Sequence, residues 1–213
     1  MEIILASSSP RRRELLSRIT QNFTVKISDF DESTIGFYGD FGEYVKELSY
    51  NKAMDVAKNI SKEALIIGAD TIVALDDQVL GKPIDEKAAI DMIKSLSGRT
   101  HEVYSGITVI KTPELTTLSD FAVTSIKFSD LSDEEILNYV KTKEPLDKAG
   151  AYGIQGLGGV FVEEIHGCYY NVVGLPLNKL KKLMDALILK WFLVHYISKI
   201  GMGNIKKENC NEI

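Results

Sequence analysis

The chain of 213 residues has little of what holds a metal centre or staples a small fold. It contains two cysteines and three histidines. Cys168 and Cys210 lie far apart, one of them in a polar tail. They suggest neither a disulfide framework nor a zinc site, and they fit a reducing cytoplasm. His101, His166 and His195 are scattered, and no H-x-x-x-H pair or Cys/His cluster exists, so a zinc enzyme is not expected. Positive charge is not in excess either. Lys and Arg number 25 against 30 Asp and Glu, a formal net charge of −5, which argues against a general nucleic-acid binder. Two nucleotide signatures are missing, G-x-x-x-x-G-K-[ST] and G-x-G-x-x-G in a strand–helix setting, so neither a P-loop nor a dinucleotide fold is expected. Met1-Glu2 leads straight into an apolar stretch that reads as a strand, so no signal peptide is expected. The most apolar stretch, 186–197, is interrupted by Lys190 and His195 and is too short to span a bilayer. A core helix or a dimer contact suits it better than a membrane anchor.

What is there is an ordinary globular composition, 45% hydrophobic, sized for one α/β domain or a domain with two lobes. Ile3 to Ala6 reads as a first strand. Ser7-Ser8-Ser9-Pro10 then opens a helix, the serines as caps and Pro10 in the first turn, where no N–H is needed. The helix entry presents free N–H groups and the positive end of the dipole. Arg11, Arg12 and Arg13 beside it make an anion site suited to phosphate. Phe23 to Ile27 reads as a strand, Ser28 to Gly42 as a loop and Glu43 to Ile60 as a helix. Apolar runs flank Asp70, with a return strand at Val79-Leu80 after an Asp76-Asp77 turn. Asp85 caps a helix that Gly98 stops. Two strands follow, near 101–111 and 116–128. Ser132 and Glu135 predict a capping box, with Leu131 and Ile136 as its hydrophobic staple. Leu146 to Gly159 holds five glycines and reads as a binding loop or mobile crossing rather than a packed element. Val160–Val162 and Cys168–Val173 suggest a hairpin around His166-Gly167, and Pro176 opens a last helix.

Three residues break the local pattern. Asp70 sits in what should be buried strand, where a carboxylate is costly unless it meets a cation or metal. Lys52 shares a helix face with Leu48 and Val56, so its ammonium points toward the core side and needs an anion there. Gly81-Lys82-Pro83 fixes a loop from which Lys82 projects. With Arg11, Arg12 and the acids Asp31-Glu32, these residues suit a polyphosphate together with a divalent metal. Magnesium prefers carboxylates, substrate phosphates and retained waters.

The chain resembles the Maf family of nucleotide pyrophosphatases, named for a link to septum formation in bacteria. The resemblance rests on Leu5-Ala6-Ser7-Ser8-Ser9-Pro10-Arg11-Arg12, Asp31-Glu32, Glu47-Leu48 with Lys52-Ala53, Gly68-Ala69-Asp70-Thr71-Ile72-Val73, Gly81-Lys82-Pro83, Leu96-Ser97-Gly98, Asp147 through Gly156 and Gly174-Leu175-Pro176-Leu177. It implies an α/β fold like that of inosine triphosphate pyrophosphatases, an elongated mixed sheet with helices and a cleft between two lobes. The expected division is a domain over 1–185 followed by an apolar helix and polar tail over 186–213. The family further implies hydrolysis of a nucleoside triphosphate to the monophosphate and pyrophosphate with Mg2+ or Mn2+, in the cytoplasm.

By resemblance, Asp70 is the proton acceptor or metal-water carboxylate and Glu32 a metal-site acid. Arg12, Lys52 and Lys82 are phosphate ligands, and Ser7 and Ser9 present backbone and hydroxyls to the substrate. The stretch Asp147 to Gly159 looks like the subgroup acting on dTTP and UTP, in which Arg11, Thr71 and Gln155 match the positions tied to base choice. A glutamine carboxamide suits the O4 and N3–H edge of uracil or thymine. Housecleaning of modified pyrimidine nucleotides is a neighbouring expectation. A nucleotide-binding regulator of septum formation without turnover is the alternative.

Overall fold

The computed structural model describes residues 1–189. Strand β1 (Glu2–Leu5) runs into α1 (Pro10–Ser17), capped by Ser9 with Pro10 in the first turn. Then come β2 (Thr24–Val25), α2 (Phe41–Ala57), β3 (Ala64–Leu75), β4 (Gln78–Leu80), α3 (Glu86–Leu96), β5 (Thr100–Thr112), β6 (Thr116–Phe128) and α4 (Asp133–Lys141). Asp85 caps α3, and Ser132 with Glu135 forms the predicted capping box on α4. After three short 3-10 turns, β7 (Val162–His166) and α5 (Tyr169–Val173) follow, and the chain is helical again over 177–189 (α6).

The seven strands form one mixed sheet in the order β2-β1-β3-β5-β6-β7, with β4 beside β3. β1 pairs in parallel with β2 and β3, and every other pairing is antiparallel. Asp70 does not interrupt the apolar runs, because β3 continues through it as one strand buried everywhere except Thr71. A strand covered on both faces reads as a near-continuous apolar run.

One face of the sheet carries α2, packed through Ala53, Val56 and Ala57 on Ile4, Ile66 and Ile110. The approach is close because two glycines allow it. A Cβ on Gly68 would fall 2.2 Å from the Ser49 carbonyl oxygen, and one on Gly106 would fall 2.0 Å from that of Val45. The other face carries two apolar clusters. Leu65, Ile67, Ala69, Ile107 and Val109 pack with residues of α1 and α6, while Val73, Leu75 and Val103 pack with α3 and α4. The alternation along β3 and β5 leaves Thr71 and Ser105 at the boundary between the clusters.

The edge of β3 is what opens the site. β1 pairs with positions 64–67 and β4 with 73–75, so no strand covers 68–72 on that edge. Side chains from both faces of β3 reach this gap, Asp70 from the α2 side and Thr71 from the other.

The structure corrects two expectations. The hairpin predicted for 160–173 does not form. Val162–His166 pairs with β6, Leu157–Phe161 is a 3-10 turn, and Tyr169–Val173 is helical. The cause is Asn171, fully buried, whose amide donates to the Val103 carbonyl at 2.8 Å and to Thr124 Oγ1 at 2.9 Å. Those anchors outweigh the strand propensity of Val172-Val173. The glycine-rich stretch is packed, not a bare crossing. Glu144–Asp147, Ala149–Ala151 and Leu157–Phe161 are 3-10 turns, and Gly150, Ala151, Tyr152, Gly158 and Phe161 are buried. The expected apolar helix 186–197 and the polar tail fall outside the described residues from 190 onward.

Candidate active site

A cleft of about 680 Å³ lies at the β3 edge gap. This is a size typical of small-ligand sites. Ten of the residues expected from sequence line it: Ser7, Ser9, Arg11, Arg12, Glu32, Lys52, Asp70, Thr71, Lys82 and Gln155. Asp31 does not line it; it is exposed and caps the turn 32–34, accepting the Ser33 N–H at 3.0 Å. Nor does Arg13. It is exposed on α1, so two arginines of the run face the cleft and not three. Helical geometry turns successive side chains by about 100°, which sends the third one away.

On the first wall, Arg12 is held on three sides. Its Nε donates to the Gly174 carbonyl at 3.0 Å, one terminal nitrogen to Thr71 Oγ1 at 3.1 Å and the other to Ser7 Oγ at 3.5 Å. Thr71 Oγ1 lies 2.8 Å from Ser105 Oγ, which itself donates to the Asn171 carbonyl at 3.0 Å. The chain of donors therefore runs from Arg12 through Thr71 and Ser105 to α5. The Thr71 hydroxyl is engaged in placing Arg12. Burial lowers the Arg12 pKa from its ordinary value while Asp70 pushes it back up. A guanidinium stays charged at neutral pH.

Lys52 stands between two carboxylates. Its Nζ lies 2.7 Å from Glu32 Oε1 and also pairs with Asp70 Oδ1. Asp70 is 7% exposed. The close seat of α2 on Gly68 brings Lys52, one turn beyond Ser49, over Asp70. A buried ion pair holds only if each charge keeps its partner. The trio carries one negative charge in excess. Burial raises the nearby Tyr44 phenol, with Asp70 and Glu32 adding to the effect.

The opposite wall comes from the β4–α3 loop and the glycine-rich turns. Lys82 is exposed on a loop tied down by the buried Pro83 and by the Gly150 N–H, which donates to the Gly81 carbonyl at 3.1 Å. Arg11 reaches across the cleft to Asp147, 3.5 Å away. Gln155 is exposed, with no hydrogen bond to another described residue.

Sequence reasoning assigned no role to Lys148, Tyr44 or Tyr152, which also line the cleft. Lys148 is tucked in, its Nζ donating to the Glu144 carbonyl at 2.7 Å and to Asp147 Oδ1 at 2.6 Å. The adjacent Asp147-Lys148 pair entering a glycine run was the available signal. Tyr152 stacks edge-on against His101 and Phe128, and its hydroxyl lies 2.8 Å from His101 Nε2.

Among the described residues, no three His, Cys, Asp or Glu side chains gather as a metal cage. Glu32 and Asp70 are a carboxylate pair with uncompensated negative charge, facing Arg11, Arg12 and Lys82. That donor set fits a hard divalent ion that arrives with phosphates and keeps waters, since such an ion needs only one or two protein carboxylates.

The family described as Maf-like protein matches residues 2–187. The chain belongs to the Maf family. Its match includes every cleft residue named above and leaves out 188–213. A Maf relative from Clostridium botulinum (strain Eklund 17B / Type B) is 56% identical over 188 residues, covering 88% of this chain and 100% of that protein. One from Clostridium novyi (strain NT) is 58% identical over 187 residues, covering 88% and 98%. Both are named dTTP/UTP pyrophosphatase. Among solved structures, the nucleoside-triphosphatase / dITP/XTP pyrophosphatase of Mycobacterium abscessus superposes with a TM-score of 0.39 at 13% identity, over 92% of this chain and 97% of that one. That likeness is too loose to argue from.

Proposed function

We propose that this Maf protein hydrolyses nucleoside triphosphates to the monophosphate and pyrophosphate, with dTTP and UTP as preferred substrates. Relatives more than half identical over the whole domain carry that activity in their names. The observation that carries the reading is the Lys52-bridged pair Glu32 and Asp70 at the β3 edge gap, in one cleft with Arg12 and Lys82.

Water attacks the α-phosphorus, its proton passes to Asp70, and the bond to the bridging oxygen breaks to release pyrophosphate. Lys52 holds Asp70 in place through their ion pair, and a buried charge left without its partner is costly. Arg12 and Lys82 neutralise charge on the departing phosphates. Asp70 and Glu32 would hold a Mg2+ or Mn2+ ion, which supplies further neutralisation of phosphate charge when bound. Gln155, with its carboxamide uncommitted, reads O4 and N3–H of the pyrimidine, beside Arg11.

With nucleoside triphosphates as substrates, the compartment we expect is the cytoplasm. Among the described residues no helix is long and apolar enough to cross a membrane. A link to septum formation or to altered pyrimidine nucleotides rests on the resemblance alone.

The test is to incubate the protein with Mg2+ or Mn2+ and a panel of nucleoside triphosphates, then resolve the products by chromatography. Monophosphate plus pyrophosphate, fastest from dTTP and UTP, is the expected result. Nucleotide binding without turnover under either metal would contradict it and favour a regulator.

A further inference from the structure

Glycine-rich turns are usually the mark of a mobile loop, but three glycines of the second wall, Gly153, Gly156 and Gly158, make room for the side chains of Glu144, Tyr139 and Lys148. A Cβ on Gly156 would fall 2.3 Å and 2.4 Å from the two carboxylate oxygens of Glu144. One on Gly158 would fall 2.6 Å from the Tyr139 hydroxyl, and one on Gly153 would fall 2.7 Å from Lys148 Cε. All three glycines therefore press against the same small group of side chains.

That group holds the turn by its backbone. Glu144 Oε2 accepts the Leu157 N–H at 2.9 Å, and Oε1 accepts the Gly158 N–H at 3.3 Å and the Tyr139 hydroxyl at 2.9 Å. The Tyr139 oxygen in turn accepts the Gly153 N–H at 3.2 Å. Lys148 Nζ caps the arrangement on the Glu144 carbonyl. Burial pushes the Glu144 carboxyl up, yet the Leu157 N–H, the Tyr139 hydroxyl and the Gly158 N–H bring it below its ordinary value. A charged acceptor with three donors is a strong anchor, about twice as strong per bond as a neutral one. The bonds fall at 153, 157 and 158, on both sides of Gln155. The turn bearing that side chain is clamped at both ends.

We propose that Glu144 is a positioning residue for base choice: its carboxylate, with Tyr139, fixes the turn 153–158 so that Gln155 meets the pyrimidine edge in one orientation. This rests on the functional reading above, in which Gln155 faces the base. Glu144 touches no substrate. Its effect is on discrimination between bases and not on the chemical step, which belongs to Asp70 and its partners on the other wall.

The experiment compares kcat and KM for UTP and CTP in the wild type, Glu144→Gln and Gly156→Ala. Glutamine keeps the shape but offers one acceptor oxygen and presents an NH2 group to an N–H. The ratio of kcat/KM for UTP over CTP is expected to fall about tenfold or more, mainly through KM for UTP. The kcat at saturating UTP should stay within about threefold of wild type, since an interaction used in binding alone leaves it unchanged. Gly156→Ala drives a methyl against the same carboxylate and should shift the ratio the same way. It decides the matter if Glu144→Gln does not fold. Equal losses toward UTP and CTP, or an unchanged ratio in the variant that folds, would overturn the proposal. A wild type that hydrolyses neither nucleotide would instead overturn the functional reading on which the proposal stands.

Discussion

The two walls of the cleft are built by different means. The wall from the β1–α1 turn, α2 and β3 is made of side-chain charge. Arg12, Lys52, Asp70 and Glu32 stand on or beside regular elements and hold one another by ion pairs and hydrogen bonds. The wall from 144–159 is made of backbone, with turns whose N–H groups are gathered by Glu144 and Tyr139. Charges that move protons and stabilise leaving groups need rigid mounts in a dry place. A surface that reads a base needs a fixed outline more than charge. The first wall holds the proton acceptor and its ion pairs, and the turns 144–159 hold Gln155 for recognition, while Lys82 and Arg11 reach the substrate from the facing sides.

The largest break in that division comes from Asp70→Asn. It removes the proton acceptor and should lower kcat for UTP by about a thousandfold or more, in line with the upper part of what a general base contributes. The thermal midpoint should stay close to wild type, because Glu32 still pairs with Lys52. Steady-state rates and a melting curve on the same preparation check both halves.

Next is Lys52→Met, which leaves Asp70 buried without its cation. Breaking a buried pair on one side costs about 3–5 kcal/mol. Denaturant unfolding should show that loss at neutral pH, and it should shrink in the double variant Lys52→Met/Asp70→Asn. A single variant as stable as wild type would mean the pair is not mutually dependent.

The backbone wall has its own weak point in acid. Burial lowers the His101 pKa to about 4 from 6.5. The folded state therefore holds the neutral ring that supports Tyr152. Its contribution is fully present above pH 6.5 and is lost as pH falls from there through about 4. A pKa difference of this size corresponds to a loss on the order of 3 kcal/mol. Stability measured across that window should fall more steeply for wild type than for His101→Gln, which does not titrate there. Equal slopes would remove His101 from the account.

The smallest of these effects belongs to Lys82→Ala. Lys82 is exposed and its loop is anchored by other groups, so the fold should be unchanged. Transition-state stabilisation should drop by roughly 2–3 kcal/mol if it meets the leaving phosphates. A wild-type kcat would make it an ordinary turn lysine.

The sequence disclosed the first wall more readily than the second, for a physical reason. A carboxylate between two apolar runs and a lysine on an apolar helix face violate a local pattern, and such a violation is visible along the chain. Asp70 and Lys52 stand out with no knowledge of their partner. Arg13 is less legible, because a run of three arginines does not reveal which way the helix turns each one. The second wall shows itself in sequence through its glycine content, and that content invites the opposite conclusion. Glycine for mobility and glycine for close approach look alike in sequence. The difference lies in Glu144 and Tyr139, which reach those glycines only once the chain has folded. The missed helix 169–173 has the same origin, since Asn171 is anchored to groups 68 and 47 residues away.

The division between the walls is tested most directly by one kinetic series: kcat and KM for UTP and CTP in the wild type, Asp70→Asn and Glu144→Gln. Asp70→Asn should abolish turnover of both nucleotides in proportion while UTP still binds, and Glu144→Gln should change the UTP-to-CTP ratio with kcat for UTP retained. The account is contradicted if Asp70→Asn keeps the wild-type kcat, or if Glu144→Gln lowers kcat for both nucleotides and leaves their ratio where it was.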